Sequence, residues 1–185
     1  MPPSSPRIPP VAPAAFTPEQ KALVGEWSAM NFTTVIVEHP GLYRALMPLI
    51  AKLISGSDLP PRDREVLVLR TLALCDETYE YSHHVLIARN AGLTDVEIEA
   101  ARTGSAELSW FDRTLADAAE ELVRDQRVGD ETWQELEQRY SSVQLMEVVA
   151  LVGGYTLMAM LTKSFGIELE DPETFNRFGE IRNYT

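Results

Sequence analysis

Between Pro40 and Gly56 the apolar side chains Leu42, Leu46, Leu49, Ile50 and Leu53 recur at intervals of three and four, the spacing that a helix gathers onto one face. Pro40 and Gly41 open this segment and Gly56 closes it. After the rigid turn Leu59-Pro60-Pro61, a second helix is predicted from Arg62 to Cys75, and it is apolar nearly all round. A helix without a polar face belongs in the middle of a protein. Further helices are predicted at Thr78–Ala91, ended by Gly92; at Thr94–Arg102, opened by the capping box Thr94-Asp95-Val96-Glu97; and at Ser109–Asp125, Asp130–Arg139 and Ser141–Lys163. Upstream, Thr17-Pro18-Glu19 supplies an N-cap, a proline at the first helical position and an acid in the first turn. The helix they begin is expected to cover Phe16 to about Ala29, with NFTTVIVEHP as a short connection to the next. No stretch alternates apolar and polar residues over strand length. The expected fold is therefore all-α, a compact domain of seven or eight helices over residues 16–185. Residues 1–15 hold six of the twelve prolines and read as an extended arm, placed to wrap a neighbouring subunit.

Composition narrows the functions open to such a bundle. Its 185 residues carry 16 Lys and Arg against 28 Asp and Glu, a net charge of −12, which repels nucleic acid and anionic membrane surfaces. The longest apolar run, Val148 to Leu161, is interrupted by Gly153, Gly154, Tyr155 and Thr156 and falls short of the ~20 residues a bilayer crossing needs, so it reads as a buried helix. Gly153-Gly154 has neither a strand before it nor a following lysine, so close helix packing rather than nucleotide binding is its expected purpose. One cysteine, Cys75, provides neither a disulfide nor a C-x-x-C pair, and the N-terminus has no apolar stretch behind a basic start. A cytoplasmic protein is expected.

The chemistry concentrates in residues 61–94. At about 100° per residue, Glu77, Glu80, Tyr81, His84, Val85, Ala88 and Ala91 share one stripe, and Ser82, Leu86 and Arg89 lie opposite. On the preceding helix Glu65 shares a stripe with Leu69 and Leu72. Two antiparallel helices joined near Asp76 would bring these groups together, and carboxylates beside an imidazole in an apolar setting can hold and pass a proton near neutral pH. A plainer reading competes with this one. Glu80 and His84, four apart, also suit a surface pair, His83 a packing role, His39 a cap, and Tyr81 the core. Glu80-x-x-His83 has the spacing used by carboxylate-bridged iron bundles, but His39 is the sole other histidine and no second motif can be built. A single ion held by Glu80, His83 and His84 is the alternative left open.

Arg64-Glu65 before VLVLRTLAL, Tyr79-Glu80-Tyr81-Ser82-His83-His84, and the tail VLIARNAGLTDVEIEA resemble the carboxymuconolactone decarboxylase family, which includes the alkylhydroperoxidase D-like proteins. The resemblance extends more weakly into SSVQLMEVVALVGGYTLMAMLTKSFGIEL and covers roughly residues 40–170. It implies an all-helical, alkylhydroperoxidase D-like subunit, assembled as a trimer or hexamer. In the peroxidase branch a glutamate on one helix serves a C-x-x-C-x-x-x-H motif on the next. Aligned on His84, that motif puts Glu77 and Glu80 where the cysteines belong and Glu65 at the glutamate. Cys75 falls on neither position, so thiol-dependent peroxide reduction is not expected.

The expected function is that of a cofactor-independent lyase or isomerase, decarboxylase-like, acting on a small aromatic-derived carboxylate or lactone. His84 is assigned as general acid/base, Glu80 as its orienting partner or second proton carrier, and Glu65 as a buried relay. Tyr81 and His83 are assigned to the pocket. Arg70, or else Arg62 or Arg64, is the cation expected to receive a substrate carboxylate. A metal-dependent or residual redox enzyme and a non-catalytic small-molecule-binding oligomer are the alternatives.

Overall fold

A computed structural model describes residues 5–104 and 107–180, apart from the side chains of residue 26 and residues 178–180. Among these residues there are ten α-helices and no strand: α1 (Pro18–Val24), α2 (Asn31–Ile36), α3 (Pro40–Ser55), α4 (Pro61–Leu74), α5 (Tyr79–Asn90), α6 (Asp95–Thr103), α7 (Trp110–Asp125), α8 (Asp130–Glu137), α9 (Ser142–Phe165) and α10 (Pro172–Glu180). The fold is the all-α one expected, and eight of the helices correspond to the segments read from hydrophobic spacing.

Three departures have physical causes. The first helix stops at Val24 because Gly25 takes a φ of +54°, and the chain continues as a 3-10 turn over Gly25–Ala29. The expected connection NFTTVIVEHP contains α2 instead. Its run Thr33-Thr34-Val35-Ile36 has weak helix propensity, yet all four residues and Phe32 are buried, and burial outweighs a few tenths of a kcal/mol per residue. The last helix, α10, lacks a long apolar stripe; Asp171 starts it, its carboxylate accepting from the backbone N–H groups of Glu173 and Thr174.

α4 occupies the centre, packed by α5, α6, α7 and α9. Val66, Leu67, Val68, Leu69 and Leu72 are each at most 1% exposed. α9 is apolar enough along its length to meet a bilayer-crossing criterion, with a mean hydropathy of 1.7 over its most apolar stretch, half of it buried within the domain. Its outer side leaves Val143, Met146, Leu157 and Met160 exposed. The two glycines of this helix separate in role. A Cβ on Gly154 would stand 2.6 Å from Leu53 Cδ1, so glycine is what lets α3 approach α9 there, whereas a Cβ on Gly153 would meet open space.

The described part of the arm lies on its own chain. The backbone N–H groups of Arg7 and Ile8 donate to the Phe165 carbonyl at 2.8 and 3.3 Å, and that of Val11 donates to the Thr34 carbonyl at 3.1 Å. Prolines leave few N–H groups to satisfy, and these three find acceptors at the C-terminal end of α9 and on α2.

Candidate active site

The turn between α4 and α5 is short and tightly held. Asp76 takes a φ of +49°, after which the Glu77 carboxylate accepts from the backbone N–H groups of Tyr79, Glu80 and Tyr81 at 3.0, 2.9 and 3.2 Å. The Thr162 hydroxyl adds a fourth donor at 2.9 Å. A carboxylate at the positive end of a helix satisfies N–H groups that otherwise lack partners. Glu77 therefore fixes where α5 begins, and with it the direction in which Glu80, His83 and His84 point.

Those directions create two buried clusters. In the first, Arg64 Nε donates to Glu65 Oε1 at 2.9 Å, Glu65 Oε2 lies 2.6 Å from His84 Nδ1, and His84 Nε2 lies 2.8 Å from the Tyr155 hydroxyl. All four residues are at most 3% exposed. Both imidazole nitrogens and the Tyr155 hydroxyl are satisfied when His84 carries its hydrogen on Nδ1 and Tyr155 donates to Nε2. Burial, with the Glu65 charge nearby, raises the Tyr155 hydroxyl well above its ordinary range and keeps it a donor. In the second cluster, His83 Nδ1 donates to the Tyr79 carbonyl at 2.9 Å and His83 Nε2 faces Glu170 Oε2 at 3.0 Å. Glu170 Oε1 also accepts from the Tyr79 hydroxyl at 2.5 Å and from the Asn31 N–H at 2.7 Å. Burial opposes both charges here, but the ion pair and these hydrogen bonds prevail: the His83 imidazole is raised and the Glu170 carboxyl lowered from their usual values.

Between the clusters lies a cavity of about 100 Å³, and Glu80, His83 and His84 form its polar wall. The remainder is mainly apolar, with Met30, Phe32, Met47, Ile50, Ile54, Ile87 and Met158. Its mouth lies where Trp27, Ala51 and Ser55, all exposed, ring it. Glu80 differs from its neighbours. Its residue is 4% exposed, yet its carboxyl makes no hydrogen bond among the described residues. Desolvation pushes its pKa up to about 8; the His83 charge opposes that rise, and Glu77 and Glu170 add to it. A carboxyl in this position releases and regains a proton close to neutral pH.

Several expected roles change. Glu65, not Glu80, orients His84, and Tyr155 already occupies the other His84 nitrogen. Tyr81 does not line the cavity; half-buried, it lies near Arg102 and Glu99 of α6. Arg70 points elsewhere too, its guanidinium donating to Glu120 at 2.7 Å and to the Arg102 carbonyl at 2.6 Å. Five positions past Glu65 on α4, it lies well round the helix from the cavity face. Arg62 is held by Asp112 and Glu97, and Arg64 by Glu65 and the Ile54 carbonyl. Hence none of the three arginines lines the cavity to receive a substrate carboxylate.

His39 caps α3, its Nδ1 accepting from the Leu42 N–H at 3.2 Å. Cys75 stands at the C-terminal end of α4, half-buried, outside the cavity lining, with burial pushing its thiol up. Among the described residues no group of three or more histidine, cysteine or acidic side chains is arranged to hold a metal ion. Sequence reasoning missed Tyr155 and Glu170. A tyrosine in the otherwise apolar VGGYT run was a usable signal, because a buried hydroxyl requires a partner. Glu170, in an irregular segment, offered none.

In this helical domain a glutamate of the central helix thus meets a histidine of the next helix beside a small, mainly apolar cavity. The chain superposes on an alkylhydroperoxidase AhpD core, an uncharacterized peroxidase-related protein from Ralstonia eutropha JMP134, with a TM-score of 0.78, 18% identity, and coverage of 92% of this chain and 94% of that one. An uncharacterized peroxidase-related protein from Silicibacter sp. TM1040 gives 0.75 at 13% identity, covering 95% and 98%. Residues 40–123 match the carboxymuconolactone decarboxylase family, a span from α3 into α7 that includes Glu65, Glu80, His83 and His84. The chain thus has the fold of these alkylhydroperoxidase D-like structures, and its segment 40–123 is similar to the carboxymuconolactone decarboxylase family. No curated protein matches it.

Proposed function

We propose that this protein is an acid/base enzyme of the carboxymuconolactone decarboxylase type, a lyase or isomerase that moves a proton on a small aromatic-derived carboxylate or lactone and needs no redox cofactor. One observation carries this reading: Glu80, a residue 4% exposed, places on the cavity wall a carboxyl that has no hydrogen-bond partner among the described residues and a pKa pushed up to about 8. A general acid/base works best when its pKa lies near the operating pH, and such catalysis contributes about 10²–10⁴-fold in rate. In this reading Glu80 exchanges the proton with substrate. His84, held by Glu65 and Tyr155, fixes the adjacent wall, and His83 supplies a positive charge beside the carboxylate that Glu80 becomes. Thiol chemistry finds no support, since the resemblance puts Glu77 and Glu80 at the two thiol positions and Cys75 lies outside the cavity lining with its pKa raised.

The test is exchange of carbon-bound hydrogen in D₂O, followed by NMR over a panel of lactones and hydroxylated aromatic acids. Wild-type protein is expected to exchange or convert at least one of them, and Glu80→Gln to lower that rate at least about 100-fold. Undiminished exchange in Glu80→Gln overturns the reading.

A further inference from the structure

The cavity has a charge balance that selects among its ligands. Its ionisable wall residues are Glu80, His83 and His84, and no lysine or arginine lines it among the described residues. Each positive or basic group at or behind that wall already has a carboxylate: His83 faces Glu170 at 3.0 Å, His84 Nδ1 lies 2.6 Å from Glu65, and Arg64 Nε donates to Glu65 at 2.9 Å. No cationic group there stands without a counter-charge. A ligand carboxylate would leave water for a largely apolar site, beside Glu80 and with no cation of its own, which is strongly unfavourable. An uncharged ligand carries no such penalty. The size of the cavity, about 100 Å³ and open at one end, suits a small ring; an enclosed cavity of roughly 150 Å³ admits benzene. Glu80, lacking a hydrogen-bond partner among the described residues, is the group that a ligand oxygen would satisfy.

We propose that the cavity binds uncharged, small-ring ligands bearing a carbonyl acceptor, cyclic ketones or lactones, through a hydrogen bond donated by the protonated Glu80 side chain, and that it discriminates against carboxylates of the same size. This rests on the acid/base reading of the same site and narrows its substrates to the uncharged half of the class. The groups facing Glu80 are His83 on its own helix, Glu77 before that helix and Glu170 from the segment after α9.

The experiment titrates wild-type protein at pH 7 with cyclopentanone and γ-butyrolactone, and with cyclobutanecarboxylate as the anion of similar size, followed by ligand- and protein-observed NMR. The neutral probes are expected to bind at least ten-fold more tightly than the anion. Glu80→Gln keeps a donor and is expected to hold the neutral probes within a few-fold, whereas Glu80→Leu weakens them ten-fold or more. Ala51→Trp, at the exposed mouth, is expected to abolish their binding without disturbing the core. Equal or tighter binding of the anion overturns the proposal; so does failure of both neutral probes to bind, or binding that survives Ala51→Trp. Because binding is read without turnover, a protein that binds neutral rings yet exchanges no proton refutes the catalytic reading alone.

Discussion

His84 Nδ1 and Glu65 Oε2 stand 2.6 Å apart across the junction of α4 and α5, nineteen residues from one another in the chain. Glu65 also accepts from Arg64, so one wholly buried carboxylate holds a guanidinium and an imidazole at once. Removing such a partner strands a charge, and the penalty for breaking a buried pair is about 3–5 kcal/mol. Glu65→Ala is expected to destabilise the fold by that amount. Tyr155→Phe, which removes one hydrogen bond to His84, should cost only about 1 kcal/mol. Urea denaturation of both variants checks the contrast; equal losses would mean that the Arg64–Glu65–His84 chain is not what holds this region.

Glu80 makes stability depend on pH with a definite sign. Its folded pKa, about 8, exceeds the ordinary value of 4.5, so the folded state holds this proton more tightly than the unfolded one. The stability linked to it is fully present below about pH 4.5 and is lost as pH rises through about 8, by at most about 1.4 kcal/mol per pH unit. Glu80→Gln removes that dependence. The variant should gain on wild type between pH 5.5 and pH 8.5, as read from denaturation midpoints at the two values.

The imidazole of the second buried pair shifts stability with pH in the same sense. Because its hydrogen bonds and ion pair prevail over desolvation, His83 is raised above 6.5, so its contribution is present below that value and is lost as pH climbs through the folded pKa. Glu170→Gln removes the carboxylate that favours the imidazolium. The His83 ring, followed by NMR, is expected to titrate at lower pH in the variant, and an unchanged midpoint would separate Glu170 from the imidazole energetically.

Two adjacent glycines should respond oppositely to alanine. Gly153→Ala adds a methyl group into open space in the middle of a helix and is expected to stabilise by about 0.5–1 kcal/mol. Gly154→Ala places it 2.6 Å from Leu53 Cδ1, a side chain 3% exposed with little room to yield. That clash should cancel or reverse the gain. Thermal denaturation of the two variants decides it.

Much of this was legible in the chain. Hydrophobic spacing and caps marked eight of the ten helices, because a helix that buries one face must repeat apolar residues at its own period, and the ends advertise their caps through Thr94, Ser109 and Ser141. The approach of Glu65, Glu80 and His84 was legible too, since each lies on an apolar stripe of two consecutive antiparallel helices. α2 was not, because its β-branched residues favour helix only when packing supplies the energy.

The sequence by itself determined that the protein is a helical bundle with α4 at its centre and that acids and histidines converge next to α4. Only the tertiary structure decided what each group does. Tyr155 and Glu170 reach the two histidines from 71 and 87 residues away, a pairing no local period encodes. Once they and Glu65 claim the imidazoles, Glu80 is left on the cavity wall with no hydrogen-bond partner among the described residues. Likewise Arg70, five residues past Glu65 on the same helix, turns toward Glu120 because a helix distributes neighbouring residues over different faces. Ionisable chemistry depends on burial and on partners within a few ångströms, and those are properties of packing between helices rather than of the helices themselves.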